Sequence, residues 1–189
     1  MSHSLPEQAK LKILVVDDHE LMLGGTIDVL RRQYGEAEII TAQTGESALN
    51  QVEEFQPELV VMDLSIPQTA GETARTETGL SCLKTLMKNY PSLNLVVLST
   101  YVKALVRIKP DIDAHQGGFT VVDKALSSKD MLTRLDLALQ GVTHTKDLKM
   151  PMGEVKPEWL TVINLAFQEG LTDKKIAEQM SVAERTVRH

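Results

Sequence analysis

LKILVVDDH, at residues 11–19, is a short apolar run that ends in two aspartates and a histidine. A second run, LVVM at residues 59–62, is followed directly by Asp63. Short apolar runs without alternation are typical of strands that are buried on both faces of a parallel sheet. The two stretches therefore predict buried strands with carboxylates at their carboxyl ends.

Three further segments predict strands, and helical patterns separate them. The five predicted strands are Leu11–Val16, Glu38–Thr41, Leu59–Met62, Leu95–Leu98 and Phe119–Val122. Between the first two, Leu23, Ile27 and Leu30 recur at four- and three-residue spacing, as on one face of a helix. Strands that alternate with helices predict an α/β fold with a doubly wound, five-stranded parallel sheet.

Composition shifts divide the chain into a larger and a smaller predicted domain. The segment between them contains Pro151 and Gly153 and has no sustained periodicity, which indicates a linker. Short helical patterns follow it and predict a small all-α domain. The predicted boundaries are a tail at 1–10, the α/β domain at 11–141, the linker at 142–156 and the helical domain at 157–189.

The composition predicts a soluble, cytoplasmic protein without a membrane segment. No apolar run approaches the roughly 20 residues of a membrane-spanning helix, and the start, MSHSLPEQAK, lacks the apolar stretch of a secretory signal. The single cysteine, Cys82, lies in an apolar helical pattern, which favours a buried side chain over a reactive thiol. A net charge of −6 argues against nucleic-acid binding by the whole surface, although a local basic face is compatible with it.

Polar side chains follow four of the predicted strands. In an open parallel sheet the carboxyl ends of the strands form one edge, where ligands bind. Carboxylates at this edge repel one another, and Mg²⁺ with oxygen ligands is their usual neutralising partner. This predicts a site in which Asp63 is a nucleophile for phosphoryl transfer, with metal ligands and phosphoryl contacts around it. The metal ligands are Asp17 and Asp18, and the phosphoryl contacts are Ser99 and Lys124.

Four motifs together resemble those of response-regulator receivers with a CheY-like fold. They are VVDDH at 15–19, VMDLSIP at 61–67, VVLST at 96–100 and VVDK at 121–124. The acidic pair followed by His19 resembles two-component response regulators of the NarL/FixJ family. The resemblance implies that a sensor histidine kinase phosphorylates Asp63. It also implies that Mg²⁺ is bound by Asp17, Asp18, Asp63 and the backbone carbonyl of Ser65.

The chain departs from this family pattern at three places. The loop that begins with Gln68 is longer than usual, and the simplest interpretation is a solvated surface loop. Pro110 falls inside the expected fourth helix, which is therefore predicted to be short or split. The family's switch aromatic is replaced by Val121, so Phe119 and Tyr101 are the candidates for that role.

The segment EGLTDKKIAEQMSVAERTVRH, at residues 169–189, resembles a LuxR-type helix-turn-helix. In this resemblance Ala183 takes a cap position usually held by serine. The chain ends at His189, inside the segment that corresponds to the recognition helix, so the domain is expected to be incomplete and to bind DNA weakly or not at all. A small helical bundle with solvated charges is the alternative. The implied DNA-contacting residues are Lys174, Lys175, Arg185, Thr186, Arg188 and His189.

The function predicted from these features is a transcription regulator controlled by phosphorylation, which forms a homodimer when active and, as the full-length protein, binds double-stranded DNA. Its enzymatic activity is expected to be limited to Mg²⁺-dependent self-phosphorylation and dephosphorylation. One alternative is a receiver that docks other proteins through the Gln68–Thr78 loop without binding DNA. A phosphatase with an aspartyl nucleophile is disfavoured, because Leu64 and Ser65 provide no acid after the nucleophile.

Overall fold

A computed structural model of the chain describes residues 10–124, 127–145, 175 and 178. By its internal contacts the chain divides into two compact units, Met1–Leu148 and Lys149–His189. No helix within the described ranges is long and apolar enough to cross a membrane. The elements are β1 (Lys12–Val16), α1 (Glu20–Gln33), β2 (Glu38–Ala42), α2 (Gly45–Phe55), β3 (Leu59–Met62), α3 (Thr76–Asn89), β4 (Asn94–Leu98), a 3₁₀ helix (Val102–Ile108), α4 (Lys109–Ala114), β5 (Phe119–Val122), α5 (Ser128–Leu139) and β6 (Thr143–His144).

The strands form one parallel sheet in the order β2-β1-β3-β4-β5-β6. From β1 the chain first runs outward to β2 and then returns to β3 on the other side, so strand order reverses between β1 and β3. In doubly wound sheets this reversal opens a crevice at the carboxyl ends of the strands. The predicted α/β fold class is confirmed.

Helices cover both faces of the sheet, which explains why the strands are apolar throughout. Leu14 and Val60 are buried in the cluster that includes residues of α2 and α3. Ile13 and Val61, their neighbours in sequence, are buried in the second cluster with residues of α1 and α5. Cys82, on α3, is buried as predicted.

The predicted number of strands was one too low. Thr143 pairs with Phe119 of β5, and the backbone N–H of Phe119 donates to the carbonyl of Val142 over 3.2 Å. A strand of two residues has no detectable periodicity, so backbone pairing alone defines β6. The segment predicted as a linker therefore begins with residues that belong to the sheet, and its remainder, residues 146–156, lies outside the described residues.

The fourth helix is split, as the proline predicted. A 3₁₀ helix at Val102–Ile108 precedes α4, which spans only Lys109–Ala114. Pro110 lies in the first turn of α4, where its missing N–H has no helical acceptor to lose. The proline thus sets where this helix begins.

Candidate phosphoacceptor site

Asp17 and Asp63 lie side by side at the carboxyl edge of the sheet. Val16 pairs with Met62, so the residues that directly follow the ends of β1 and β3 are neighbours. The backbone N–H of Asp63 continues this pairing by donating to the carbonyl of Val16 over 2.9 Å. Both aspartates are buried, with 3% and 5% of their surface exposed. Strand pairing alone therefore brings two carboxylates together away from bulk water.

The ammonium of Lys124 joins these two carboxylates. Its Nζ donates to Oδ2 of Asp17 over 2.7 Å and to Oδ2 of Asp63 over 2.8 Å. Burial by itself lowers the pKa of Lys124, but the hydrogen bonds and negative charges of Asp17 and Asp63 outweigh it, so that the pKa is raised. The lysine predicted to contact the phosphoryl group is thus held as a cation between the predicted nucleophile and a predicted metal ligand.

Two carboxylate oxygens at this edge lack a hydrogen bond among the described residues. Oδ1 of Asp63 is buried and has no hydrogen-bond partner among the described residues, whereas Oδ1 of Asp18, which is buried and makes no hydrogen bond of good geometry, lies 2.9 Å from Nδ1 of His19. A buried carboxylate oxygen without a donor is strongly disfavoured unless a cation or another donor satisfies it. The two atoms fit a divalent cation with oxygen ligands, which agrees with the predicted Mg²⁺ site.

His19 is close to both members of the acidic pair. Its Nδ1 lies 2.9 Å from Oδ1 of Asp18 and 3.5 Å from Oδ1 of Asp17, and its backbone N–H donates to Oδ1 of Asp17 over 2.9 Å. Ligand atoms of Asp17, Asp18 and His19 all lie within 4.8 Å of one another. Asp63 is not in this group and is linked to it through Lys124. From the sequence, His19 is expected only as a family residue beside the acidic pair.

Ser99 follows β4 at the same edge and is completely buried. Its backbone N–H donates to the carbonyl of Val122 over 3.0 Å, which fixes it beside the end of β5. Its Oγ accepts a hydrogen bond from the backbone N–H of Tyr101 over 3.2 Å. This bond does not use the hydroxyl proton of Ser99, which can therefore be donated to another acceptor.

The segment after Asp63 packs tightly against the start of α3. A Cβ added to Gly79 would lie 2.1 Å from the carbonyl oxygen of Leu64. This close approach holds the backbone of Leu64, directly before Ser65, whose carbonyl is the fourth predicted metal ligand. Ser65 itself is half-buried.

The long loop after Pro67 is closed at its base. Ile66 and Arg75 form an antiparallel bridge, in which the N–H of Arg75 donates to the carbonyl of Ile66 over 3.0 Å. The carbonyls of Pro67 and Gln68 accept from the first two N–H groups of α2, over 2.9 and 3.1 Å. The loop therefore connects the segment after Asp63 to the amino terminus of α2, while most of its tip is exposed.

Of the two switch-aromatic candidates, only Tyr101 is on the surface. Phe119 has no exposed surface and lies inside the core together with Val121, whereas Tyr101 is 55% exposed. Since Phe119 is enclosed by packed side chains, it has no space for a large rotation. Tyr101 directly follows the loop that holds Ser99.

One of the implied DNA-contacting residues belongs to the described part of the chain. Lys175 is helical and exposed, as is Glu178 three residues later. The other five lie outside the described residues, and so does Ala183. They are Lys174, Arg185, Thr186, Arg188 and His189.

Comparison with known proteins identifies the family. Residues 13–136, more than half of the chain, match the response regulator receiver domain. The DNA-binding transcriptional activator DevR/DosR of Mycobacterium tuberculosis is 24% identical over 195 residues, which cover 95% of this chain and 84% of that protein. The transcriptional regulatory protein YdfI of Bacillus subtilis is 25% identical over 191 residues, which cover 94% of this chain and 84% of that protein.

Solved structures show the same fold at low sequence identity. RcsB from Salmonella enterica serovar Typhimurium, bound to promoter rprA in the presence of the phosphomimetic BeF3-, has a TM-score of 0.66 at 20% identity over 95% of this chain and 87% of that chain. A CheY-like receiver domain protein from Methanospirillum hungatei has a TM-score of 0.56 at 20% identity over 70% of this chain and 95% of that chain. With the receiver match and these relatives, the chain belongs to the response regulator receiver family and is a response regulator of the NarL/FixJ type.

Proposed function

We propose that the chain controls transcription in response to phosphorylation of Asp63 by a sensor histidine kinase. The observation that carries the proposal is the contact of Lys124 with both Asp63 and Asp17, which leaves Oδ1 of Asp63 without a hydrogen bond among the described residues. A carboxylate with one oxygen held by a cation and the other without a donor can bind a metal ion through one oxygen and attack a phosphoryl donor with the other.

The residues that would hold Mg²⁺ are Asp17, Asp18, Asp63 and the backbone carbonyl of Ser65. The unpartnered Oδ1 atom of Asp63 supports this assignment. When bound, the ion supplies positive charge that offsets the negative charge of the phosphoryl oxygens. The ammonium of Lys124, which donates to Oδ2 of Asp63, supplies a second positive charge.

In the proposed transfer, a carboxylate oxygen of Asp63 forms a bond to phosphorus as the bond from phosphorus to the kinase imidazole breaks. The imidazole nitrogen keeps the electron pair of the broken bond. Lys124 exchanges part of its contact with Asp63 for a contact with the new phosphoryl group. The hydroxyl of Ser99, whose oxygen already accepts from the N–H of Tyr101, donates its proton in a hydrogen bond to a phosphoryl oxygen.

The proposed output is DNA binding by a homodimer through the carboxyl-terminal unit. Relatives named as transcriptional regulators align over nearly the whole chain, which supports this assignment. The candidate contacts are Lys174, Lys175, Arg185, Thr186, Arg188 and His189. Lysines would meet phosphates and position the protein, while the arginines and polar residues would face the groove.

The test of the phosphoacceptor is intact mass after incubation with Mg²⁺ and acetyl phosphate. The parent chain should gain one phosphoryl group, and Asp63→Asn should gain none. The control Asp28→Asn, at an exposed position, should gain one phosphoryl group as the parent chain does. In this reaction the bond from phosphorus to the acyl oxygen breaks and acetate leaves. Equal phosphorylation of Asp63→Asn would refute the assignment.

Docking through the Gln68–Thr78 loop is the second candidate function. Its supporting observation is that the loop is exposed at its tip while its base contacts both the segment after Asp63 and α2. DNA binding distinguishes the two functions, because phosphate contacts produce a steep dependence of affinity on salt. A phosphorylated dimer whose affinity for promoter DNA falls steeply with salt supports transcription control. Partner binding that depends on the loop and no DNA binding supports docking.

A further inference from the structure

We propose that a groove between α1 and α5 binds the acyl chain of small acyl phosphates, so that a donor with a short apolar chain phosphorylates Asp63 faster than acetyl phosphate does. The inference rests on the proposed function, because it names a preferred class of small phosphoryl donor for Asp63. The groove has a volume of about 220 Å³ and is lined by Met22 and Gly25 of α1 and by Met131 of α5.

The groove lies at the same edge of the sheet as the phosphoacceptor. Leu98 and Val122, the last residues of β4 and β5, line it. Lys124 lines it as well, and the Nζ of this lysine donates to Oδ2 of Asp63 over 2.8 Å. A donor whose phosphoryl group contacts Lys124 therefore has the groove within reach of its acyl chain.

Large apolar side chains of α1 are exposed to water at this groove. Leu21 is 92% exposed and Met22 is 40% exposed, and both line it. Contact between apolar side chains and water is unfavourable, and exposed apolar surface often marks a binding site. An acyl phosphate matches the two parts of this surface, because its carbon chain can cover the apolar side chains while its phosphate contacts the ammonium of Lys124.

The size of the groove favours a short chain. Its volume of about 220 Å³ is below the roughly 300–1,000 Å³ of pockets that hold drug-sized ligands. Met22 and Met131 are unbranched and flexible, so their side chains can adapt to a few methylene groups. Full burial of one methylene is worth about fourfold in affinity, and a chain in an open groove gains only part of this.

The test compares acetyl phosphate with butyryl phosphate, whose chain is longer by two methylenes, as donors in the presence of Mg²⁺. Initial rates of phosphoryl gain are measured by intact mass at equal donor concentrations below saturation. In each reaction a carboxylate oxygen of Asp63 forms a bond to phosphorus, the bond from phosphorus to the acyl oxygen breaks, and acetate or butyrate leaves with the electron pair. The two leaving carboxylates are nearly equally basic, so a difference in rate reports binding of the chain. We expect the parent chain to react about fivefold faster with butyryl phosphate.

Two neighbouring glycines of α1 provide a variant and its matched control. Gly25→Leu fills the groove without crowding the fold, since nothing lies within 4 Å of a Cβ added there. It should lower the ratio of the butyryl to the acetyl rate constant from about five to about one. Gly24 is also exposed and has equal space around an added Cβ, but it does not line the groove. Gly24→Leu should therefore keep the ratio of the parent chain.

The outcomes separate the acyl site from the phosphoacceptor itself. Equal rate constants for the two donors in the parent chain would overturn the acyl site while leaving Asp63 as the acceptor, and would point to another occupant of the groove, such as an apolar side chain of a protein donor. A ratio that keeps the parent value in Gly25→Leu, or that falls equally in Gly24→Leu, would also overturn the assignment to this groove. A parent chain that gains no phosphoryl group from either donor would refute the phosphoacceptor assignment as well.

Discussion

The ammonium of Lys124 donates a hydrogen bond to Oδ2 of Asp63 over 2.8 Å, although the two residues are 61 positions apart in the chain. The same ammonium reaches Asp17, so one lysine holds together the ends of three strands, β1, β3 and β5. This arrangement makes the lysine both a candidate phosphoryl contact and a structural counter-charge. The two roles can be separated by measurements of stability and of phosphorylation.

Replacing Lys124 with methionine should destabilise the receiver by about 3 kcal/mol, because two buried carboxylates lose their counter-charge. Urea unfolding followed by circular dichroism measures the change. Lys129→Met is the matched control, since Lys129 is exposed on α5, and its effect should be within about 0.5 kcal/mol of zero. Equal stability of the two variants would contradict the structural role.

The contribution of Lys124 to stability should disappear at alkaline pH. Its pKa in the folded chain is raised above the ordinary value of 10.5, because Asp17 and Asp63 outweigh the lowering effect of burial. A raised folded pKa means stabilisation that is complete below the unfolded value and is lost as pH rises through the folded value. The difference in unfolding free energy between the chain and Lys124→Met should therefore be constant at neutral pH and shrink above 10.5. A difference in unfolding free energy that widens above this pH would show that folding lowers the pKa of Lys124 instead of raising it.

Cys82 should be almost inert to iodoacetamide in the folded chain. Burial raises the pKa of its thiol to about 12, from 9.0, so the reactive thiolate is nearly absent at pH 8. We expect alkylation at least about 100-fold slower than in urea. Mass spectrometry over time gives both rates, and equal rates would mean that the α3 face of the core opens readily.

Gly79→Ala should destabilise the receiver by about 2 kcal/mol or more and slow phosphorylation of Asp63, because the new Cβ would overlap the backbone of Leu64. Gly24→Ala is the control within a helix: nothing lies within 4 Å of its added Cβ, and alanine there should stabilise by about 0.5–1 kcal/mol. Thermal unfolding together with the acetyl phosphate assay tests both. If Gly79→Ala is as stable as the parent chain, the backbone at Leu64 moves away from the added Cβ at little cost in free energy.

Much of the fold was predictable from local pattern. The runs that end at Val16 and Met62 are buried on both faces, and this burial leaves a continuous apolar signal. Pro110 likewise predicted that the fourth helix is split, because a proline ring restricts the backbone and cannot donate a hydrogen bond inside a helix. The sixth strand escaped prediction, since two residues carry no period and its partner, Phe119, is far away in sequence.

The sequence by itself determined which residues end the buried strands, and so which side chains could meet at one edge of the sheet. Only the tertiary structure decided how they meet: Lys124 bonded to Asp17 and Asp63, His19 close to the acidic pair, and the carbonyls of the long loop capping α2. The physical reason is the range of the forces involved. Burial and backbone preference act on neighbouring residues and leave a pattern, whereas a hydrogen bond between distant residues depends on the packing of the whole domain.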